Sequence, residues 1–180
     1  MSFFYKPIDI DNLEYIRKEL YESYPSYETG TKLFYPKEKL AYFLKVPAAV
    51  ELFQCFKISK FLIPELGCSF VRINSKSKIP LHTDTKFRYS FNIPLVDCSG
   101  SILNFYSTEV PGTISKTPNG VSYTSYDTNN CNLELSTAIT CPFVMDTKMI
   151  HGVTNDSAQD SILLLIRLSH AIDEVIEEYF

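Results

Sequence analysis

The chain has 180 residues, of which 45% are hydrophobic and 21% are charged, proportions typical of a soluble globular protein of one domain. Its formal net charge is −4 and no basic stripe stands out, so the composition argues against a nucleic-acid partner. No apolar run approaches the ~18 residues of a membrane span, and residues 1–12 lack the pattern of a signal peptide, so we expect a cytoplasmic protein that does not act at a membrane.

The first 60 residues carry helical patterns. Residues 9–24 have apolar side chains at helical period, and Asp11 and Glu14 have the spacing of a capping box. A second helix is predicted in residues 35–45, with a proline in its first turn, and a third in residues 47–56. These helices carry no motif, and we interpret them as support for the rest of the chain.

From residue 67 onward, apolar and polar residues alternate with the period of a β-strand. Strands are predicted in residues 67–74, 87–96, 101–107, 121–126, 141–146 and 161–169. Pro118-Asn119-Gly120 predicts a hairpin turn, and the other residues of 107–140 are expected to form hairpins or loops over the mouth of a site. Residues 171–180 are acidic and predict a short terminal helix.

Helices followed by several antiparallel strands predict an α+β fold that is mainly β. Many short strands tend to close into a sandwich or jelly roll, and the leading helices would then cover one outer face. We therefore predict a single domain over residues 1–180, with helical support in residues 1–60, a jelly-roll core in residues 67–169 and a C-terminal tail in residues 170–180.

Three side chains have the types and spacing that a metal site requires. His82 and Asp84 stand two positions apart, so on a strand they point to the same side and can share one ion. His151, which we place at the end of an apolar strand, offers a second imidazole. Two imidazoles and one carboxylate on one face of an iron ion leave three positions open, enough for a bidentate 2-oxo acid and dioxygen. The alternative is that Asp84 belongs to a surface turn, because Thr-Asp-Thr-Lys is ordinary turn chemistry.

The H-x-D of residues 82–84, the distant H-G-V-x-N of residues 151–155 and the closing apolar strand together resemble the 2-oxoglutarate- and iron(II)-dependent oxygenases, especially their prolyl- and aspartyl-hydroxylase-like branch. The resemblance covers roughly residues 67–169. It implies a double-stranded β-helix core, iron(II) held by His82, Asp84 and His151, and 2-oxoglutarate as cosubstrate. It also implies dioxygen-dependent hydroxylation of a small-molecule or peptide side-chain substrate, but it indicates neither the identity of that substrate nor an oligomeric state.

The chain departs from this family at the residue that anchors the far carboxylate of the cosubstrate. Members usually carry Arg or Lys about ten residues after the second histidine, where this chain has Ser161. Arg88 in the strand after H-x-D and Arg167 in the last strand are the candidate replacements, with Arg72 as a third. A guanidinium suits a carboxylate in each case. We favour Arg88, because six residues of strand place Arg167 ~20 Å beyond position 161.

Ser161 keeps two other functions open. A cupin-like jelly roll, such as an isomerase or a hydrolase, would use the same three ligands for zinc or manganese and would not need 2-oxoglutarate. A third alternative is a non-catalytic binding module on an oxygenase-like scaffold, because a fold does not determine a function. The five cysteines are odd in number and form no C-x-x-C pair, which predicts reduced structural thiols.

Overall fold

Two antiparallel sheets form the centre of the computed structural model, which describes residues 5–22, 46–55, 67–117 and 120–168. Within these ranges, the first sheet has five strands in the order β1 (Tyr5–Pro7), β9 (Phe143–Asp146), β4 (Tyr89–Pro94), β11 (Ser161–Leu168) and β2 (Gly67–Ile73). The second has six, in the order β6 (Thr113–Lys116), β7 (Ser122–Ser125), β3 (Ser77–Asp84), β10 (Ile150–Asn155), β5 (Ser101–Ser107) and β8 (Asn132–Ala138). A 3₁₀ turn spans Thr128–Asn130.

The order of the strands along the chain shows how the two sheets are connected. From β2 to β5, and again from β8 to β11, each strand lies in the opposite sheet from the one before it. The chain therefore winds around a common interior, which is the topology of a double-stranded β-helix, and the predicted jelly roll is confirmed.

Two helices, α1 (Leu13–Glu22) and α2 (Pro47–Cys55), cover the outer face of the first sheet, as the sequence predicts. Their buried side chains, which include Ile16, Leu20 and Leu52, pack in one cluster with the outward side chains of the sheet, such as Phe91 and Leu164. Because β11 is covered on both faces, it is apolar at nearly every position rather than at alternate ones. No helix within the described residues is long and apolar enough to cross a bilayer.

Several boundaries differ from those that the sequence predicts. The strands β1, β3, β6, β8 and β10 are not among the six ranges predicted as strands, and His151 is the second residue of β10 rather than the end of a strand. A turn closed by a hydrogen bond from Met149 N–H to Asp146 O (3.2 Å) separates β9 from β10, at the polar Asp-Thr-Lys that ends the strand predicted in residues 141–146. The hairpin at Gly120 (φ 78°) is confirmed between β6 and β7. The helices predicted in residues 35–45 and 171–180 lie outside the described residues.

Asp160 fastens the loop before β11 to the turn after β2. Its carboxylate accepts hydrogen bonds from the Ser75 backbone N–H (2.7 Å) and from Arg72 Nε (2.7 Å). These two bonds, that of Ser75 first, hold the pKa of Asp160 below its ordinary value. Arg72, the third candidate for a cosubstrate anchor, is therefore engaged in a structural ion pair.

We expect Asp160→Asn to lower the free energy of unfolding by about 1–2 kcal/mol at pH 7, because a charged acceptor of two hydrogen bonds is lost. A depressed native pKa stabilises the fold above the ordinary carboxyl pKa, and that stabilisation is lost as the pH falls through the native pKa. Urea unfolding at pH 7 and at about pH 3 should show the difference shrinking in acid. Asp156→Asn, on the same loop, is the control; an equal deficit at both pH values would contradict the assignment.

Candidate metal centre

The three side chains predicted as metal ligands come together at one end of the space between the sheets. His82 and Asp84 close β3, and His151 stands directly opposite His82 in the antiparallel pairing of β3 with β10. The two imidazole ring centroids lie 4.3 Å apart, and His82 Nε2 lies 3.9 Å from Asp84 Oδ1. A strand end and a cross-strand neighbour thus place two imidazoles and one carboxylate side by side.

Both imidazole rings are oriented by the backbone two residues earlier. His82 Nδ1 lies 2.8 Å from Pro80 O, and His151 Nδ1 lies 2.8 Å from Met149 O. A carbonyl oxygen only accepts hydrogen bonds, so in each ring Nδ1 carries the proton and donates it. The Nε2 lone pairs are left to bind a ligand, which is the arrangement that metal-binding histidines use.

His151 is held in the neutral form that binds metals. Its residue surface is 6% exposed. Burial first, and then the charge of His82, lower the pKa of His151 to about 3, although Asp84 acts in the opposite direction. Neutral imidazole is therefore the dominant form of His151 at physiological pH.

Asp84 is ionised and faces a buried arginine. Burial raises the pKa of Asp84, but the charge of Arg167 first, and then the two neighbouring imidazoles, outweigh that effect and leave the pKa below its ordinary value. Arg167 Nε lies 3.4 Å from Asp84 Oδ2, and its terminal nitrogen donates to Ser69 Oγ (2.7 Å). The Arg167 side chain is 8% exposed, so its charge is compensated inside the protein rather than by water.

Within the described ranges, no three His, Cys, Asp or Glu side chains are already arranged as a metal site. The position of Asp84 explains this, because its carboxylate faces Arg167 and its Oδ1 lies 3.9 Å from His82 Nε2, beyond the length of a shared metal contact. The donors nevertheless fit ferrous iron, since two oriented, Nε2-presenting imidazoles and a carboxylate lie on one side of an open space. Binding would require the Asp84 carboxylate to turn from Arg167 toward the two rings.

A cavity of about 120 Å³ opens from these side chains into the interior of the barrel. Its polar end is formed by the three candidate ligands together with Ser90, Asn92, Thr147 and Arg167. The remaining lining is apolar and comes from both sheets: Val71, Ile73, Ile79, Leu103, Ile139, Phe143, Met145, Val153, Leu163 and Leu165. The site is therefore a polar mouth with an apolar interior.

The two arginines favoured from the sequence lie in different surroundings. Arg88 precedes β4, does not line the cavity, and has a side chain that is 52% exposed. Its Nε lies 3.4 Å from Asp146 Oδ2, and its guanidinium stacks over the Tyr89 ring. Arg167 lines the cavity beside Asp84.

The expectation that Arg167 is remote from the site is wrong. That expectation was based on the distance of Arg167 from position 161. However, β11 runs toward the candidate ligands, so the end of β11 that carries Arg167 is the end next to the candidate metal centre. Arg167 pairs in register with Ser90 of β4, at the polar mouth. Ser161 lies at the opposite end of the strand, where its hydroxyl is hydrogen-bonded to Ser101 Oγ (2.8 Å).

Comparison with solved structures identifies the architecture. EvdO2 from Micromonospora carbonacea var. aurantiaca, crystallised with 2-oxoglutarate, superimposes with a TM-score of 0.54 at 14% identity over 93% of this chain and 87% of EvdO2. AviO1 from Streptomyces viridochromogenes Tue57 gives 0.53 at 13% identity over 94% and 91%. A prolyl-4-hydroxylase from Pseudomonas putida gives 0.52 at 12% identity over 93% and 88%.

The fold is the double-stranded β-helix. The resemblance to the 2-oxoglutarate/iron(II) oxygenases is thereby confirmed for the fold. The sequence matches no protein-family model and no curated protein.

The close approach of β3 to β10 explains why the residue after His151 is a glycine, Gly152. A Cβ at this position would lie 2.9 Å from Ile79 O and 2.9 Å from a Leu81 methyl carbon, both on β3. The pairing of β10 with β3 shifts register between His151 and Val153, next to this close approach. A glycine therefore lets the β3 backbone come close enough to set His151 opposite His82.

Sequence reasoning missed the polar residues that line the mouth. Ser90 and Asn92 point inward from β4, and Asn92 Nδ2 donates to Ser90 Oγ (2.9 Å). Ser69 lies on β2, on the other side of β11, and accepts a hydrogen bond from Arg167. The signal available in the sequence was that Ser90 and Asn92 alternate with Phe91 and Ile93, which puts two polar side chains on one face of a predicted strand. The structure shows that face buried, where polar residues need partners.

A second pocket, of about 350 Å³, lies outside the mouth and shares Asp84 and Arg167 with the cavity. Its other walls are Thr85, Lys86 and Phe87 after β3, and residues 120–122 of the β6–β7 hairpin. Tyr123 of the same hairpin meets the His82 ring edge-on at 6.0 Å. A hairpin from residues 107–140 therefore borders the site, as the sequence predicts.

Proposed function

We propose that this protein is a dioxygenase that depends on iron(II) and on a 2-oxo acid of the class that includes 2-oxoglutarate, and that it hydroxylates a small molecule or a peptide side chain. His82, Asp84 and His151 would hold the iron, and Arg167 would pair with a carboxylate of the cosubstrate. The observation that carries the proposal is the pair of facing imidazoles, each fixed through Nδ1 to a backbone carbonyl, with an ionised carboxylate beside them.

Iron bound there would supply the activation of dioxygen, so that one oxygen atom enters a substrate C–H bond and the other enters the carboxylate formed as the 2-oxo acid loses carbon dioxide. The residues of the chain would position the reactants. Arg167 offers a buried cation for a carboxylate, and Ser90 and Asn92 offer polar groups beside it. The apolar cavity keeps bulk water from the inner side of the centre.

The pocket outside the mouth is the position that we propose for the substrate. It reaches the same Asp84 and Arg167 from the solvent side, and it is about three times the volume of the inner cavity (350 against 120 Å³). Lys86 and Phe87 give it a cation and an aromatic wall. The relatives in fold support the assignment, since one was crystallised with 2-oxoglutarate and another is a prolyl-4-hydroxylase.

One observation favours a second function. Ser161, at the position where the oxygenases usually carry a basic anchor, is bonded to Ser101. A metal-dependent jelly-roll enzyme that uses these ligands without a 2-oxo acid would need no such anchor. Binding of a 2-oxo acid to the metal-loaded protein distinguishes the two functions.

Anaerobic titration with iron(II) should show one tight site, and a 2-oxo acid added to that complex should produce a visible metal-to-ligand charge-transfer band. His82→Ala and His151→Gln should each weaken iron binding by at least ~100-fold, because each removes one of three ligands, a greater loss than that of an outer-shell partner, which costs about 10–100-fold. Both variants should keep the far-ultraviolet circular dichroism spectrum of the parent. Iron bound without a band would support the second function, and full iron affinity in either variant would overturn the ligand assignment.

A further inference from the structure

We propose that the cosubstrate pocket selects a 2-oxo acid with a short apolar tail rather than a dicarboxylate such as 2-oxoglutarate. This inference rests on the proposed function and sharpens it. It is based on three features of the cavity. The cavity is polar at its mouth and apolar inside, its deep end carries no charged side chain among the described residues, and its volume limits the size of the tail.

The polarity of the cavity follows from the strand register. Arg167 and the candidate ligands lie at one end, and along β10, β3, β11 and β2 the lining residues that follow inward are aliphatic. On β10 and β3 these are Val153 and Ile79, which pair with each other. On β11 and β2 they are Leu163 and Val71, which also pair. A cosubstrate that binds at the mouth and extends inward meets mainly apolar side chains.

The deep end offers no charge to a second carboxylate. Among the described residues, Arg167 is the one cation that lines the cavity, and it is held at the mouth by Asp84 and Ser69. Ser161 lies on the inward face of β11 beyond Leu163, and its hydroxyl is already bonded to Ser101. A carboxylate placed there would be desolvated without a partner, which is far more costly than burying a methyl group.

Arg167 cannot serve both carboxylates of a dicarboxylate from its present position. It lies beside Asp84, so the carboxylate that it binds is the one nearest the metal ligands. The other end of the molecule then points into the aliphatic interior. A branched alkyl tail gains from burial at that place, whereas a second carboxylate loses its hydration.

The volume sets the size of the tail. A cavity of about 120 Å³ is close to the ~150 Å³ of an engineered apolar cavity that stays dry and binds benzene. The head group at the polar end takes part of that space, so a tail of about four carbon atoms fits the remainder. 4-Methyl-2-oxopentanoate meets this description, and its turnover would give 3-methylbutanoate and carbon dioxide, with one oxygen atom entering the new carboxylate and the other the substrate.

The test compares three 2-oxo acids on the iron-loaded protein without oxygen, by the charge-transfer band and by calorimetry. We expect 4-methyl-2-oxopentanoate to bind at least tenfold more tightly than 2-oxoglutarate and than pyruvate, which has a methyl tail. Equal or tighter binding of 2-oxoglutarate would overturn this inference and leave the proposed function intact. Iron binding with no response to any of the three would overturn the proposed function, and this inference with it.

Two variants address the cavity directly. Leu163→Phe fills the deep end, so it should weaken 4-methyl-2-oxopentanoate at least tenfold and leave pyruvate, the internal control, within threefold. Ser161→Lys places a cation on the inward face, so it should improve 2-oxoglutarate at least tenfold relative to the wild type. If the lysine variant does not fold, the wild-type ranking still decides. Equal losses of both acids in Leu163→Phe would contradict the proposed position of the tail.

Discussion

Replacing Asp84 by alanine is expected to abolish iron(II) binding and to lower the free energy of unfolding by about 2–3 kcal/mol, even though Asp84 ends a strand next to an open pocket. The reason is Arg167, whose side chain is 8% exposed and whose Nε lies 3.4 Å from the Asp84 carboxylate. Removing one partner of a buried ion pair leaves the other charge uncompensated. The loss is placed below the full range for buried pairs because Asp84 itself is 20% exposed.

Urea unfolding in the presence of a chelator measures the change in the free energy of unfolding, and iron(II) titration measures the loss of metal binding. Asp97→Ala is the matched control, because Asp97 is an exposed carboxylate whose hydrogen bonds, among the contacts described, are with Ser99 two residues later. The double variant Asp84→Ala/Arg167→Met should recover most of the stability and none of the iron binding. If the double variant is as unstable as Asp84→Ala, the ion pair is not the origin of the loss.

The ion pair between Asp84 and Arg167 also makes the difference in unfolding free energy between wild type and Asp84→Ala depend on pH. The pKa of Asp84 is below its ordinary value in the folded protein, so its contribution is complete above the ordinary carboxyl pKa. The contribution disappears as the pH falls through the native pKa. The difference between wild type and Asp84→Ala should therefore be largest near neutrality and shrink in acid.

The sequence was informative wherever one local rule decided the structure. Alternation places β5 at residues 101–107, and Gly120 adopts the positive φ that the hairpin requires. The H-x-D spacing puts His82 and Asp84 on one face of β3 because side chains alternate along a strand. Each of these features depends on residues that are neighbours in the chain.

The other features of the site depend on which strands pair and in which register, and the sequence pattern does not determine that pairing. That His151 faces His82 follows from the register of β10 on β3, and the break before β10 is a turn of polar residues within an apolar run. The edge strand β8 was missed because its leucines, Leu133 and Leu135, are exposed and no buried face marks it. The place of Arg167 follows from the direction of β11, which a distance along the strand cannot give.

Glutamine substitutions at Arg88 and Arg167 test which arginine binds the cosubstrate carboxylate. The sequence favours Arg88, and the proposal from the structure is Arg167. Arg167→Gln should weaken the tightest-binding 2-oxo acid by about 30-fold, since a buried charge-assisted hydrogen bond contributes about 1.5–3 kcal/mol. Arg88→Gln should change that affinity less than threefold, because Arg88 is half exposed and faces Asp146 outside the cavity. The two variants remove the same charge from the protein, so each controls for the long-range effect of the other.

Iron affinity is a second measurement on the same two variants, and in Arg167→Gln it should not fall along with the affinity for the 2-oxo acid. Arg167 now competes with any cation for the Asp84 carboxylate, so Arg167→Gln should leave iron binding unchanged or make it tighter while 2-oxo acid binding falls. A merely unfolded variant would lose both, and circular dichroism with thermal unfolding checks that case. Loss of 2-oxo acid binding in Arg88→Gln but not in Arg167→Gln would mean that the cosubstrate binds outside the barrel. The anchor that the sequence alone favours would then be the correct one, and the inner cavity would have another occupant.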